Sequence, residues 1–237
     1  SFVSQEGPED RHGHGTAVAS LVAGSRLGMA PEASLLVLKA LDWQGKGRWG
    51  WVAAAVERAA ELGADVAVLA LGGVEKSLMT EEALQALSRR GGLAVAAAGN
   101  DGRGRLDYPG ASAYAITVAA VDRRGRLAPW SNWAPWPGSP DVAAPGVAVA
   151  VASARGGEGY VVKSGTSMAA AIAGGALALL GRSERKERLA AVRQRLATSA
   201  RPLPGGRAHT GWGLLNVPAL LGLGLRGDLR VPEAAGG

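Results

Sequence analysis

The chain has 237 residues, of which 47% are hydrophobic and 19% are charged, a balance typical of one globular domain with a large core. It has no cysteine, which excludes disulfides and thiol chemistry, and its longest apolar run, Met168 to Leu180, is shorter than the roughly 20 residues that span a bilayer. The net charge is +6, but basic residues cluster only over residues 181–201, at helical spacing. We interpret that cluster as a solvated helix face, and we predict neither a nucleic-acid nor a membrane partner.

Predicted strands and helices alternate along the chain. In chain order we predict a strand over residues 33–41 (ASLLVLKAL), a helix over 50–63, a strand over 64–73 (ADVAVLALGG), a helix over 80–92, strands over 93–101, 115–122 and 141–153, and helices over 165–181 and 187–200. Thr80 is the expected N-cap of the second helix, and Gly63 the expected stop of the first. The helix over 165–181 is apolar on all sides and should therefore lie in the core.

Fully apolar strands that alternate with helices indicate an α/β fold in which a parallel sheet is covered by helices on both faces. Function in such sheets gathers at the carboxyl ends of the strands, where the stretches LGG, AGND and GTSMA are found. Because no repeat or linker interrupts the pattern, residues 1–237 are predicted to form a single domain.

Three stretches could carry chemistry. Ser167 opens the small-residue helix, where free N–H groups and the helix dipole favour an anion near its oxygen; the alternative is an ordinary N-cap serine. Asn100 follows Gly99 at a strand end and could donate to an oxyanion, or could simply belong to a turn. His14, between two glycines, could be a base at a helix start or an ordinary surface residue.

These stretches together, in the order His, Asn, Ser, resemble the subtilisin-like serine proteases (subtilases). The resemblance extends from about Asp10 to about Leu220 and is carried by the blocks GHGTAVASLVAG, ADVAVLALGG, AVAAAGNDG, DVAAPG, SGTSMAA and GWGLLNVPAL. It implies the three-layer subtilisin-like fold, with Ser167 as nucleophile and His14 as general base. It also implies that Asn100 and the backbone N–H of Ser167 form the oxyanion hole, and it leaves His12 without a role.

The resemblance also implies a substrate groove, in which the substrate backbone adds a strand between two edge segments. Those segments correspond to Gly45, Lys46 and Gly47 on one side and to Ala70, Leu71 and Gly72 on the other. Trp49 matches an aromatic of an outer apolar subsite, whereas Ala98 and Gly99 match the wall of the pocket for the residue before the scissile bond.

Two acids fall near that pocket. Asp101 follows Asn100, and Asp107 aligns near the pocket base. Either could favour Lys or Arg before the scissile bond. The alternative is that both are loop acids that face water or the neighbouring Arg103 and Arg105.

The chain departs from the family at the catalytic acid. The family carries this acid in an Asp-Ser/Thr-Gly block on the first core strand, and the residues before His14 do not form that block. Glu6, Glu9 and Asp10 are the only candidates there, and Asp10 matches a loop acid rather than the triad member. We therefore expect the fold to lack its first core strand in this chain, and the acid to lie in a separate or omitted N-terminal part.

Two further departures concern metal and packing. The loop after the histidine helix, AGSRLGMAP, is short and lacks the insertion that holds a tight calcium in many relatives, so we expect no cofactor and no metal site. Ala171 and Ile172 stand where the family usually has Pro and His, which alters packing more than chemistry.

The expected function is therefore a serine endopeptidase, with doubtful activity for this chain alone. The alternative is a pseudoprotease that binds peptides in the same groove. The expected partners are a peptide or protein substrate and the protein's own N-terminal fragment or propeptide. The protein is expected to be a monomer and, by resemblance, extracellular.

Overall fold

The computed structural model describes residues 1–154, 159–180 and 188–223. The helices of this part are α1 (His14–Ala23), α2 (Trp49–Glu61), α3 (Leu78–Arg89), α4 (Thr166–Ala178), α5 (Arg188–Ser199), α6 (Arg207–Thr210) and α7 (Val217–Leu220). The strands are β1 (Val66–Leu69), β2 (Leu93–Ala97), β3 (Ala115–Val121), β4 (Val142–Pro145), β5 (Val149–Ala152) and β6 (Tyr160–Lys163).

Strands β1 to β4 form one parallel sheet in the order β1-β2-β3-β4. Val66 of β1 pairs with Leu93 of β2, and Val118 of β3 pairs with Val142 of β4. Every residue of β2 and β3 is buried, because both faces of the sheet are covered. Strand β1 is an edge strand, and three of its four residues are only partly buried.

Side-chain alternation divides β2 between two cores. Ala94 and Ala96 face α2 and α3, where they pack with residues such as Leu84. Val95 and Ala97 face the opposite layer, which is built from α4, α5 and α7. The predicted parallel sheet with helices on both faces is therefore confirmed, as is the three-layer architecture.

Helix α4 lies in the centre of the molecule, and eleven of its thirteen residues are buried. Its glycines allow neighbouring backbone to approach closely: a Cβ at Gly175 would stand 2.8 Å from the Cβ of Met29 and 2.9 Å from the carbonyl oxygen of Val22 in α1. The small residues of this helix thus bring α1 and its first residue, His14, next to Ser167.

Helix α5 is held against the sheet by Arg193. Its guanidinium donates to the carboxylate of Asp141 at 2.9 Å and to the carbonyl oxygens of Ala113 and Ala115 at 3.0 and 2.7 Å. The same carboxylate accepts a hydrogen bond from the backbone N–H of Thr117. Arg193 therefore connects the helix to the start of β3 and the residue before β4.

Three local predictions are wrong. Helix α3 begins at Leu78, because the hydroxyl of Ser77, and not that of Thr80, caps it by accepting from the Thr80 N–H. Residues 141–153 form two strands, β4 and β5, separated by a turn, and β5 pairs with β6 in a second, antiparallel sheet.

Residues 33–41 form no regular strand. Within the described residues, the backbone of Leu35 to Leu38 makes no hydrogen bond, and Val37 is 72% exposed. A strand requires a partner on at least one side, and the unpaired edge of β1 does not bond to this segment. The predicted helix over 187–200 corresponds to α5, and residue 187 lies outside the described residues.

Candidate active site

The predicted catalytic residues meet at the carboxyl edge of the parallel sheet. Ala70 directly follows β1 and Asn100 lies three residues after β2, while His14 and Ser167 stand in the first turns of α1 and α4. The N-terminus of α4 faces the residues that follow β2, because the Thr166 N–H donates to Asn100. The structure brings together three residues that are separated by 86 and 67 positions in the chain.

One backbone oxygen connects the serine and the histidine. The hydroxyl of Ser167 donates to the carbonyl oxygen of Ala70 at 3.1 Å, and Nε2 of His14 lies 2.9 Å from the same oxygen. Ser167 is 8% exposed. The hydroxyl and the imidazole are thus adjacent, but each is bonded to Ala70 rather than to the other.

This arrangement determines the tautomer of His14. A carbonyl oxygen can only accept, so Nε2 must carry a proton. Burial lowers the pKa of His14, the charges of Lys163 and His12 lower it further, and the bond to Ala70 opposes them. The ring is therefore neutral near pH 7, with Nδ1 as its unprotonated nitrogen. A general base for Ser167 needs the opposite tautomer, with a free lone pair on Nε2.

The nearby acids do not orient this histidine. The carboxylate of Asp10 accepts from the backbone N–H groups of His12, Gly13 and Thr16 and from the Thr16 hydroxyl. Partial burial raises the pKa of Asp10, but these hydrogen bonds outweigh it and lower the pKa below its ordinary value. Asp10 therefore caps the start of α1.

The other two candidate acids have different environments. Glu6 pairs with Lys39 at 2.8 Å, and Glu9 is exposed. In the part of the chain that the structure describes, no carboxylate forms a hydrogen bond with His14.

Asn100 is fixed by the first residue of α4. Its Oδ1 accepts from the backbone N–H and the hydroxyl of Thr166 at 2.9 and 3.0 Å. A backbone N–H can only donate, so the atom facing it must be the oxygen, and the NH₂ group of Asn100 points away from Thr166. The hydroxyl of Thr166 also accepts from the Gly99 N–H at 3.2 Å, which orients the preceding peptide.

A groove of about 620 Å³ runs past these residues. Both predicted edge segments contribute to it, and an antiparallel bridge between Leu41 and Gly47 closes the turn that presents the first of them. The predicted residues that line it are Gly45, Lys46, Gly47, Trp49, Ala70, Leu71, Gly72, Gly99, Asn100, Asp107, His14 and Ser167. Ala98 is fully buried and does not line the groove; its N–H donates to Val118 of β3.

The two acids predicted near the pocket have different surroundings. Asp101 is exposed, and its carboxylate lies 3.6 Å from Arg103. Asp107 is only 9% exposed and lines the groove, where its Oδ1 accepts from Nδ2 of Asn132 at 3.2 Å. Burial raises the pKa of Asp107, the charge of Asp101 adds to this, and Arg103 and Arg105 oppose it.

Sequence reasoning missed two positioning residues. Thr166 is part of the GTS block, but only the structure shows that it holds Asn100 and Gly99. Asn132 is fully buried, and its Oδ1 accepts from the N–H groups of Asp101 and Arg103. Its position in the stretch SNW carries no local signal, because the partners of its side chain lie 25 to 31 residues away in the chain.

A second cleft, of about 510 Å³, adjoins the groove on the other side of His14. One wall is the segment from Leu35 to Leu41, in which the backbone of residues 35–38 is unpaired, and the other is the outer side of β1 with Val68. Val18 of α1 forms part of the floor. The cleft is therefore bounded by two extended segments with unpaired backbone and is lined mainly by apolar side chains.

Among the described residues, no group of three or more metal-ligating side chains is close enough to hold a metal ion. In the same part of the chain, no helix is long and apolar enough to cross a membrane.

Comparison with known proteins agrees with this geometry. The Subtilase family model matches residues 3–213. Subtilisin Savinase of Lederbergia lenta is 36% identical over 225 residues, covering 92% of this chain and 81% of that protein. An alkaline protease of Alkalihalobacillus alcalophilus is also 36% identical over 92% of this chain, which spans 58% of its length.

A solved structure supports the same assignment. The prenylagaramide maturation protease PagA superposes with a TM-score of 0.78 at 28% identity, over 89% of this chain and 81% of that chain. The family model spans His14, Asn100 and Ser167, the three residues that the fold brings together. The chain belongs to the subtilase family of subtilisin-like serine proteases.

Proposed function

We propose that the protein is a serine endopeptidase in which Ser167 attacks the peptide carbonyl and forms an acyl-enzyme. In this proposal His14 accepts the serine proton and returns it to the leaving amine, after which water releases the acyl group. The NH₂ group of Asn100 and the backbone N–H of Ser167 stabilise the oxyanion. The observation that carries the proposal is that Ser167 and His14 both bond to the carbonyl oxygen of Ala70. Asn100 lies beside them in the same groove, and within the described residues its NH₂ group is free because Thr166 bonds only to its oxygen.

The proposal requires a different tautomer of His14. A carboxylate at Nδ1 would hold the proton on that nitrogen, break the bond from Nε2 to Ala70 and leave Nε2 free to accept from Ser167. Loss of this tautomer control lowers the rate of serine proteases by about 10⁴-fold. The chain as described is therefore expected to turn over slowly by itself.

We infer that the acid arrives on an extended segment seated in the cleft beside β1. Two features support a strand as occupant: both walls offer unpaired backbone groups, and the lining is apolar. His14 lines the same cleft, so an Asp or Glu on such a strand could reach its ring. The proposed occupant is the N-terminal strand expected from the family resemblance.

Labelling with a fluorophosphonate probe tests the nucleophile. In the intact protein we expect covalent labelling that mass spectrometry maps to Ser167 and that Ser167→Ala abolishes. Ser164→Ala is the matched control, because this exposed serine lies three residues away and, among the described residues, its hydroxyl bonds only to the Ala148 N–H. An unlabelled Ser167 in the folded, intact protein would refute the proposal.

The tautomer is measured separately by ¹⁵N NMR of the histidine ring. We expect the proton on Nε2 in the chain of residues 1–237, and on Nδ1 once the acid-bearing segment fills the cleft. A proton that stays on Nε2 in a protein that hydrolyses peptides would contradict the proposed role of the cleft.

One observation favours a second candidate, a pseudoprotease that binds peptides in the groove. The imidazole is bonded to Ala70 through the nitrogen that a base must keep free, as described above. The two candidates differ in one result: the binding module would hold peptides without labelling at Ser167. For the endopeptidase we further propose a monomer that acts outside the cell on peptide or protein substrates.

A further inference from the structure

We propose that Asp107 makes the groove select substrates with Lys or Arg immediately before the scissile bond. This inference rests on the proposed function, because it names the substrate class of the same site. From the sequence, either Asp101 or Asp107 could have this role, or both could be loop acids that face water or the neighbouring arginines.

The position of Asp107 is the first argument. Its carboxylate lies between the two walls that follow β1 and β2: a Cβ added at Gly72 would stand 3.3 Å from the Cβ of Asp107, and a Cβ at Gly99 would collide with its Oδ2. Glycine at both points leaves the carboxylate open to the groove that Ser167 also lines. A side chain that enters between the walls would therefore meet an acid.

The hydrogen bonding of Asp107 is the second argument. Asn132 occupies only Oδ1, and within the described residues Oδ2 accepts no hydrogen bond and Asp107 forms no ion pair. The charges of Arg103 and Arg105 lower the pKa of Asp107, but both side chains are exposed to solvent. The carboxylate thus has one vacant acceptor, which an ammonium or guanidinium group would fill.

The third argument concerns the rejection of substrates with an apolar side chain before the scissile bond. An apolar side chain in this pocket would cover a carboxylate that is already largely buried and would leave Oδ2 without a partner. Such an unpaired buried charge disfavours the apolar substrate, so that Asp107 acts on specificity by rejection as well as by attraction. Asp101 cannot act in this way, because it is exposed, lies beside Arg103 and does not line the groove.

The test compares fluorogenic peptides that differ only in the residue before the scissile bond, with the intact protein as enzyme. We expect kcat/KM for Lys and Arg to exceed that for Leu and Phe by at least about 30-fold. Asp107→Asn should lower kcat/KM for Lys and Arg by at least about 30-fold and raise kcat/KM for Leu and Phe, because Asn keeps the bond from Asn132 but carries no charge that an apolar side chain would bury. The matched control, Asp101→Asn, should change none of these values by more than about 3-fold.

A binding measurement separates this inference from the proposed function. Benzamidine should bind the Ser167→Ala variant, and Asp107→Asn in that background should weaken binding by at least about 30-fold. If benzamidine binding depends on Asp107 but no peptide is hydrolysed, the proposed endopeptidase is refuted, whereas the inference that Asp107 binds basic side chains is retained. Preference for Leu or Phe, equal losses on all peptides, or benzamidine binding that ignores Asp107 would overturn the inference.

Discussion

Replacing Asn100 by Asp separates the role that the structure shows for this side chain, as acceptor for Thr166, from the proposed role as oxyanion donor. The Asp variant keeps an oxygen that can accept from the N–H and the hydroxyl of Thr166, which lie 2.9 and 3.0 Å from Oδ1 of Asn100 in the wild-type protein. It loses the NH₂ group that is proposed to donate to the oxyanion and places a negative charge beside it. Its negative charge also stands at the N-terminus of α4, where the helix dipole favours an anion.

The expected magnitudes follow from these contacts. Removal of one oxyanion donor lowers kcat by about 10²- to 10³-fold, which corresponds to roughly 2.7–4 kcal/mol of transition-state stabilisation. Asn100→Ala should lower kcat to a similar extent, but it also removes the acceptor of two donors on Thr166, which is fully buried. The free energy of unfolding of the Ala variant should therefore fall by about 1–3 kcal/mol, whereas that of the Asp variant should not.

The assay combines initial rates on a fluorogenic peptide with urea unfolding followed by circular dichroism. Asn216→Asp is the matched control, because Asn216 also accepts from a helix N-terminus, that of α7, and the charge change is the same. A kcat for Asn100→Asp within about 10-fold of wild type would refute the oxyanion role. Equal destabilisation by Asp and Ala would refute the reasoning about Thr166.

Three further predictions concern stability and are measured by urea unfolding. Asp10→Asn should lower the free energy of unfolding by about 1 kcal/mol at pH 7, because α1 loses part of its cap. Folding lowers the pKa of Asp10, so this stabilisation is present above the ordinary pKa near 3.9 and is lost as the pH falls through the folded pKa. The difference in unfolding free energy between wild type and variant should therefore be smaller at pH 3 than at pH 7. Gly175→Ala should lower the free energy of unfolding by about 1–3 kcal/mol, because its Cβ would crowd α1. Gly50→Ala should raise it by about 0.5–1 kcal/mol, because a Cβ at Gly50 in α2 would meet no atom within 4 Å. Arg193→Met should cost about 3–5 kcal/mol because it leaves the Asp141 carboxylate unpaired; a loss below about 1 kcal/mol would show that water replaces the guanidinium.

The layers of the fold could be predicted from local pattern because they depend on composition within each element. Strands β2 and β3 contain only residues that can be buried on both faces, apart from Thr117, whose hydroxyl bonds to the Gly110 carbonyl. Helix α4 consists of small and apolar residues that no exposed helix would carry. The element boundaries were less predictable, since Ser77 and Thr80 are both acceptable caps, and only the path of the chain before α3 selects Ser77.

The identity of the candidate catalytic residues also came from the sequence, because a serine, an asparagine and a histidine in distinctive glycine-rich blocks are local signals. Their relations are not local. The oxygen of Ala70 that joins Ser167 to His14, and therefore the proton on Nε2, results from contacts across 56 and 97 positions in the chain.

The sequence by itself thus determined the fold class, the family and the residues that could do chemistry, because periodicity, burial and helix-terminus chemistry act over a few residues. Only the tertiary structure decided which acid faces the groove, since Asp107 and Asp101 are alike in sequence and differ in what Asn132, Gly99 and Arg103 place around them. It also decided that residues 35–38 remain unpaired, because a strand exists only where another segment lies beside it to accept and donate its hydrogen bonds.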